Sequence, residues 1–269
     1  MESAARSAWA FRMQEPVIDP RVVAADRRLY TMGAFPDVIR IAGVDLAWGE
    51  RRPDAVCVLE ANRQRARVRT LGLPRGDDEL LALLDEQLEG APAFIAMDAP
   101  IVCPNLTGAR PVDRLTHVHF GQFKSGAHPA NLTRCPRPPR VAGKLVERGF
   151  TIGPSGARVV AEVYPHPAMV RRFGLSERIP YKRGRVAVRR REFRRLQKEL
   201  RVCLSAHFRA LEMSAELSRL LRAPWTKNIE DQTDAFFCAL IGYWHWLHRG
   251  RRTQMLGDRV TGFMLVPQP

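Results

Sequence analysis

Asp231 and Asp234 stand three positions apart in IEDQTDAFFCALIGYW (229–244), with Glu230 beside them and an apolar run behind them that predicts a helix over 230–249. Residues so spaced share one helical face. Two chemistries fit. An acid at the N-cap with a second at N3 satisfies orphan backbone N–H groups and complements the helix dipole. Alternatively, the pair holds a metal ion together with acids from elsewhere in the chain. Candidates for those acids are Asp45 in IRIAGVDLAW (39–48), Asp98 in AFIAMDAPI (93–101) and Glu162 in RVVAEVYPHP (158–167). Each also has an ordinary explanation: Asp45 a turn before Gly49, Asp98 an Asx turn before Pro100, Glu162 an ion pair with an arginine. Three carboxylates in three apolar strands are nonetheless costly to desolvate without a cation or hydrogen bonds. Hard oxygen ligands gathered from strands and a helix are what Mg2+ or Mn2+ requires. Two such ions about 3.5–4 Å apart activate water and stabilise the leaving oxygen in phosphodiester hydrolysis.

These acids need a scaffold, and the apolar patterning supplies one. The run at 39–48, then DAVCVLE (54–60) and ARVRTLGL (66–73), follow at hairpin distances and predict a three-strand antiparallel meander. DDELLALLDEQLEG (77–90) carries leucines at helical spacing, acids in its first turn and Gly90 after its last. Strands four (93–101) and five (158–167) follow helical or long connections, so both should run parallel to strand one. Between them, residues 102–157 form a Pro- and Gly-rich insertion with helices expected near 111–121 and 141–148. A short helix near 168–173, a long one near 187–211, a short one near 214–222, the 230–249 helix and a final strand, VTGFMLVP, complete the chain. A mixed α/β sheet flanked by helices, in one domain over 39–269 after a flexible leader at 1–38, is the expected architecture. The leader is acid-free over 3–14, and Met32 is an alternative start.

Of the 43 basic residues only five are lysine, and the formal charge is +15. Residues 171–201 hold 13 basic and 3 acidic side chains, so the charge is concentrated there. In the long helix Phe193, Leu196, Leu200, Leu204, Phe208 and Leu211 mark the buried stripe. Arg190, Arg191, Arg194, Lys198 and Arg201 face elsewhere and are the candidate nucleic-acid contacts. Five cysteines without a C-x-x-C pair fit a reducing compartment, and the histidines between Cys103 and Cys135 have no zinc-ligand spacing. With neither a secretion signal nor an apolar run long enough to span a bilayer, a cytoplasmic protein without a membrane partner is expected.

The succession of meander, helix, parallel strand, crossover, parallel strand and helices is the RNase H-like layout. In it GVDLAWG, AMDAPI, AEVYPHP, Tyr181–Lys182 and EDQTDAFFCAL together resemble domain-of-unknown-function family 429, predicted nucleases of that fold, over about residues 39–267. The acidic helix is similar to that of RuvC-type Holliday junction resolvases. The resemblance implies Asp45, Asp98, Asp231 and Asp234 as metal ligands, Glu162 as a fifth acid, and Mg2+ or Mn2+ as cofactor. Asp98 stands where RuvC-type enzymes carry a glutamate, so its reach is shorter. Arg110 and Asp113 match the family's charged segment after strand four. Lys182 is the candidate phosphate contact or transition-state charge partner.

The implied function is divalent-metal-dependent phosphodiester hydrolysis on nucleic acid, RNA and DNA being equally compatible. One alternative is a catalytically silent nucleic-acid binder that uses only the basic helix. Another is an actin-like or sugar-kinase-like ATPase of the same superfold, although the chain lacks the second glycine-rich phosphate hairpin such enzymes need.

Overall fold

The computed structural model describes residues 35–49 and 51–268; the leader proposed for 1–38 lies outside them as far as residue 34. A six-stranded sheet has the order β3-β2-β1-β4-β6-β5. Its strands are β1 (Val38–Asp45), β2 (Ala55–Asn62), β3 (Ala66–Gly72), β4 (Ala93–Met97), β5 (Thr151–Ile152) and β6 (Arg158–Glu162). The β1–β2 and β2–β3 pairs are antiparallel, while β4 runs parallel to β1 and β6 parallel to β4. The meander and both parallel crossovers are therefore as expected. The two-residue β5 beside β6 is too short to leave a periodic signal in the sequence.

The helices are α1 (Gly76–Leu88), α2 (Pro111–Phe120), α3 (Arg137–Glu147), α4 (Pro165–Phe173), α5 (Val186–His207), α6 (Ala215–Leu220) and α7 (Lys227–Leu247). Strand pleating divides them into two layers. Ala42, Val44, Val56, Val58, Ile95, Met97 and Val160 meet the leucines of α1 and Val141, Ala142 and Leu145 of α3. The alternate positions, Ile39, Ile41, Cys57, Leu59, Phe94, Ala96, Val159 and Ala161, meet α4 to α7. The helix α3 starts at Arg137, four residues before the expected point, because Pro138 and Pro139 fall in the first turn, where a missing N–H costs nothing. Likewise Pro165 opens α4, so strand β6 ends sooner than the apolar run does. VTGFMLVP forms β8 (Gly262–Pro267), but its partner is β7 (Thr253–Asp258) in a separate two-stranded sheet packed on α2. That hairpin turns on Asp258, whose carboxylate accepts the N–H groups of Val260 and Thr261.

One glycine sets the approach of α7 to the sheet. A Cβ at Gly43, in the middle of β1, would overlap the Ala235 carbonyl oxygen and the Ala239 nitrogen of α7. A turn further on, Gly242 of α7 lies against Ile41, Phe94 and Ala96. Helix and strand therefore touch backbone to backbone, and side chains at the ends of β1 and β4 can meet those of α7's first turns. Gly43→Ala is expected to cost about 3 kcal/mol or more, because neither backbone can retreat without opening the layer. Urea unfolding measures it, and a loss under about 1 kcal/mol would show that the approach is not fixed here.

Candidate metal centre

Position in the pleat decides which acids meet. Asp45 shares parity with Ile39, Ile41 and Gly43, all on the α7 side, and ends β1 just beyond the point where Val44 pairs Met97 of β4. The next residue of the β4 chain is Asp98, whose N–H donates to the Val44 carbonyl at 2.8 Å. From above the sheet α7 contributes Asp231 and Asp234. One carboxylate oxygen from each of Asp45, Asp231 and Asp234 lies within 4.8 Å of the others, and among the described residues this is the group suited to a metal ion. Asp98 stands outside that trio, in keeping with its short reach, although its charge and those of Asp45 and Asp234 act on one another.

The capping reading of Asp231 does not hold. Helix α7 begins at Lys227, and its N-cap is Thr226, whose hydroxyl accepts the Ile229 N–H at 3.2 Å. Asp231 and Asp234 are thus one and two turns inside, where the backbone N–H groups are already paired. Both side chains are buried nonetheless, Asp234 completely.

Two lysines partly neutralise the acids. Lys227 donates to Asp231 Oδ1 at 2.6 Å and to Glu230 Oε1 at 2.7 Å, and Trp225 Nε1 donates to the other Glu230 oxygen. Tyr181, fully buried in the loop between α4 and α5, donates its hydroxyl to Asp234 Oδ1 at 2.6 Å. Lys182 places Nζ 2.7 Å from Asp234 Oδ2. This charge-assisted contact reaches a fully buried oxygen. Five carboxylates (Asp45, Asp98, Glu230, Asp231 and Asp234) therefore share two ammonium groups, an imbalance that a bound cation would relieve. An all-oxygen set of crowded carboxylates fits a hard divalent ion.

The electrostatics carry the same imbalance. Burial, with the charge of Asp45 adding to it, raises Asp234 to about 6 against the opposing charge of Lys182. Burial also raises Asp45, Asp231 and Asp98, Asp98 furthest, with Asp45 its next cause. Burial works against the charge on Lys182, but Asp234, Tyr181, Asp45 and Asp98 outweigh it and hold its pKa well above the ordinary lysine value.

Glu162 occupies a different place. Its parity is that of Val160, on the sheet face away from α7, and its carboxylate is held by Arg110 through two bonds of 2.7 and 2.8 Å. Arg110 also binds Asp113 and the Val102 carbonyl, and Asp113 accepts the N–H groups of Arg110 and Ala130. All three charged residues are buried. The expected fifth acid is thus joined to an arginine, as its simpler explanation has it, and this network fastens the insertion behind Asp98. A second buried pair, Arg137 with Asp54, does the same for the loop after Asp45, since Arg137 also donates to the Ala47 carbonyl and Asp54 accepts the Ala47 N–H.

The cations proposed on α5 are exposed, and among the described residues none pairs with these acids. Arg191 is bound to Glu192 and Arg201 to the Leu221 carbonyl, which leaves Arg190, Arg194 and Lys198 without a partner among the described residues. Lys227 had a readable signal in its i, i+3 and i, i+4 spacing to Glu230 and Asp231; Tyr181 had none. No helix among the described residues is long and apolar enough to cross a membrane, and all five cysteines are buried and free.

A family model described as "Protein of unknown function (DUF429)" matches residues 43–261. No curated protein and no solved structure matches the chain.

Proposed function

The chain belongs to this family of unknown function (DUF429), and from its own residues we propose that it is a divalent-metal-dependent nuclease-like phosphodiester hydrolase with an RNase H-like fold. One observation carries the reading: three carboxylates from β1 and α7 converge within 4.8 Å. The strand order β3-β2-β1-β4-β6, a meander extended by parallel strands on the β1 side, supports the fold assignment.

Asp45, Asp231 and Asp234 are the residues that would hold Mg2+ or Mn2+. Bound there, the ion supplies charge neutralisation at a phosphoryl oxygen and activation of a water for attack. Tyr181 orients Asp234 by its hydroxyl. Lys182 neutralises Asp234 in the free protein and, with about a third of its side chain accessible, is placed to turn towards a substrate phosphate. Asp98, adjacent to the trio, is the group available to carry a proton. The exposed cations on α5 offer a path for a nucleic-acid backbone.

The test is a panel of labelled single-strand, duplex, RNA–DNA hybrid and junction substrates with Mg2+ or Mn2+. Cleavage of at least one is expected, abolished by chelator and by Asp45→Asn. If nothing is cleaved and melting is indifferent to both ions, the acids and lysines form a closed ion-pair nest and the proposal fails.

A further inference from the structure

A circuit of contacts rims the carboxylates, and an aromatic ring stands in it. Lys182 reaches Asp234 from the loop between α4 and α5, and two residues on, the Gly184 carbonyl accepts Arg189 Nε of α5 at 3.1 Å. Arg189 in turn holds its guanidinium carbon 5.2 Å from the ring centroid of Trp225, in the connection between α6 and α7. Trp225 Nε1 donates to Glu230 Oε2 at 2.7 Å, and the other oxygen of Glu230 accepts from Lys227, which also donates to Asp231 at 2.6 Å. Asp231 lies beside Asp234 in the carboxylate trio, which closes the circuit. The indole is therefore separated from Asp231 by Glu230 and Lys227 alone, and it is joined to Asp234 through Arg189 and the Lys182 loop. Trp225 and Arg189 are half-buried, the indole resting on the core that the sheet forms with α4 to α7. Lys182 and Lys227 along the circuit, and Arg190 beside Arg189, are exposed.

An aromatic surface bordered by cations suits a ligand that offers both a flat face and a phosphate. We propose that Trp225 and Arg189 form a stacking platform for one unpaired nucleobase of the substrate, on the rim of the carboxylate site. Its occupant is a single-stranded segment of nucleic acid. Bases inside a duplex have both faces covered by their neighbours, whereas an unstacked base packs on an aromatic ring or a guanidinium plane. The inference rests on the phosphodiesterase reading for what the substrate is, but the stacking itself does not need the metal. Glu230, which pins the indole edge and holds Lys227, ties the orientation of the platform to Asp231. The platform differs from the α5 cations in what it meets. Those contact phosphates and read only charge, while this contacts a base and so selects for an open strand.

The experiment separates the two claims by working in EDTA, with a fluorescein-labelled oligothymidylate and an abasic strand of the same length, each titrated over a range of salt. Wild type is expected to bind the base-bearing strand about tenfold more tightly than the abasic one. Trp225→Leu should lose about tenfold on the base-bearing strand and nothing on the abasic one, with its log–log salt slope unchanged because no charge is removed. Trp225→Phe, which lacks the Nε1 donor but keeps a ring, should retain most of the affinity; a role confined to the hydrogen bond with Glu230 would make the two variants lose alike. Arg189→Gln should also weaken binding of the base-bearing strand more than of the abasic one. Urea unfolding checks that each variant is folded. Equal binding of the two strands by wild type, or equal losses in Trp225→Phe and Trp225→Leu, or no loss in either Trp225→Leu or Arg189→Gln, overturns the platform. Base-dependent binding that Trp225→Leu removes, with no Mn2+ thermal shift in wild type, overturns the metal reading and leaves the platform standing.

Discussion

Asp234→Asn is expected to stay folded, to melt no lower than wild type at pH 7 without metal, and to lose at least about a hundredfold in metal-dependent cleavage. Asparagine keeps the shape and can still accept the Tyr181 hydroxyl, and Lys182 retains the fields of Asp45 and Asp98. What disappears is one negative charge from a crowded, buried set. The pH dependence has a definite sign. Asp234 is raised to about 6 in the folded protein, so between about pH 4 and 6 the native state holds a proton that the unfolded chain has released. The stability of the metal-free protein contributed by this group is therefore full below about pH 4 and falls as pH rises through 6. Asp234→Asn should flatten that fall, and Mn2+ should bind wild type less tightly as pH drops below 6. Melting curves at pH 4.5 to 7.5, with and without Mn2+, measure all three effects. A variant that cleaves as well as wild type at saturating Mg2+ would remove α7 from the active site.

Arg110→Met should be the most destabilising exchange of a charged residue. It leaves Glu162 and Asp113 buried without their shared cation, and breaking such a pair costs about 3–5 kcal/mol. Burial already pushes Glu162 up to about 7 with Arg110 opposing it; without the arginine it rises further, and the folded variant regains stability on acidification by taking up a proton. Changing Glu162→Gln in the same chain should recover part of the loss. Urea unfolding at pH 5.5 and 8 measures this, and a loss below about 1 kcal/mol at pH 8 would mean that the network fastens nothing.

The elements that carry the acids could be read in the sequence because their signals are local. Alternation and hairpin spacing placed the meander, and connection length made β4 and β6 parallel to β1. What decided the membership of the site was not local. VVAEV is apolar on both sides of Glu162, so nothing in it reveals that the glutamate falls on the sheet face away from α7. Its partner Arg110 is 52 residues away, beyond any periodic pattern. The start of α7 was missed for a different reason. Its first turn, Lys227–Asn228–Ile229, contains no buried residue and so no amphipathic signal, and the acids that follow imitate a cap. In β7, Gly257 and polar ends concealed a strand that pairs with β8.

That Thr226 rather than Asp231 caps α7 also bears on how the site breathes. Helix ends open far more often than helix bodies, so the excursions that amide hydrogen exchange reports in α7 concentrate in the turn that carries Lys227. When that turn unwinds, Asp231 is released from its lysine, while Asp234 stays in the part of α7 whose next residue, Ala235, lies backbone to backbone against Gly43. The transient loss is of a counter-charge, not of a ligand. Each opening therefore leaves the carboxylates in place and more electronegative, and an arriving cation would meet a cluster whose competitor has already stepped aside.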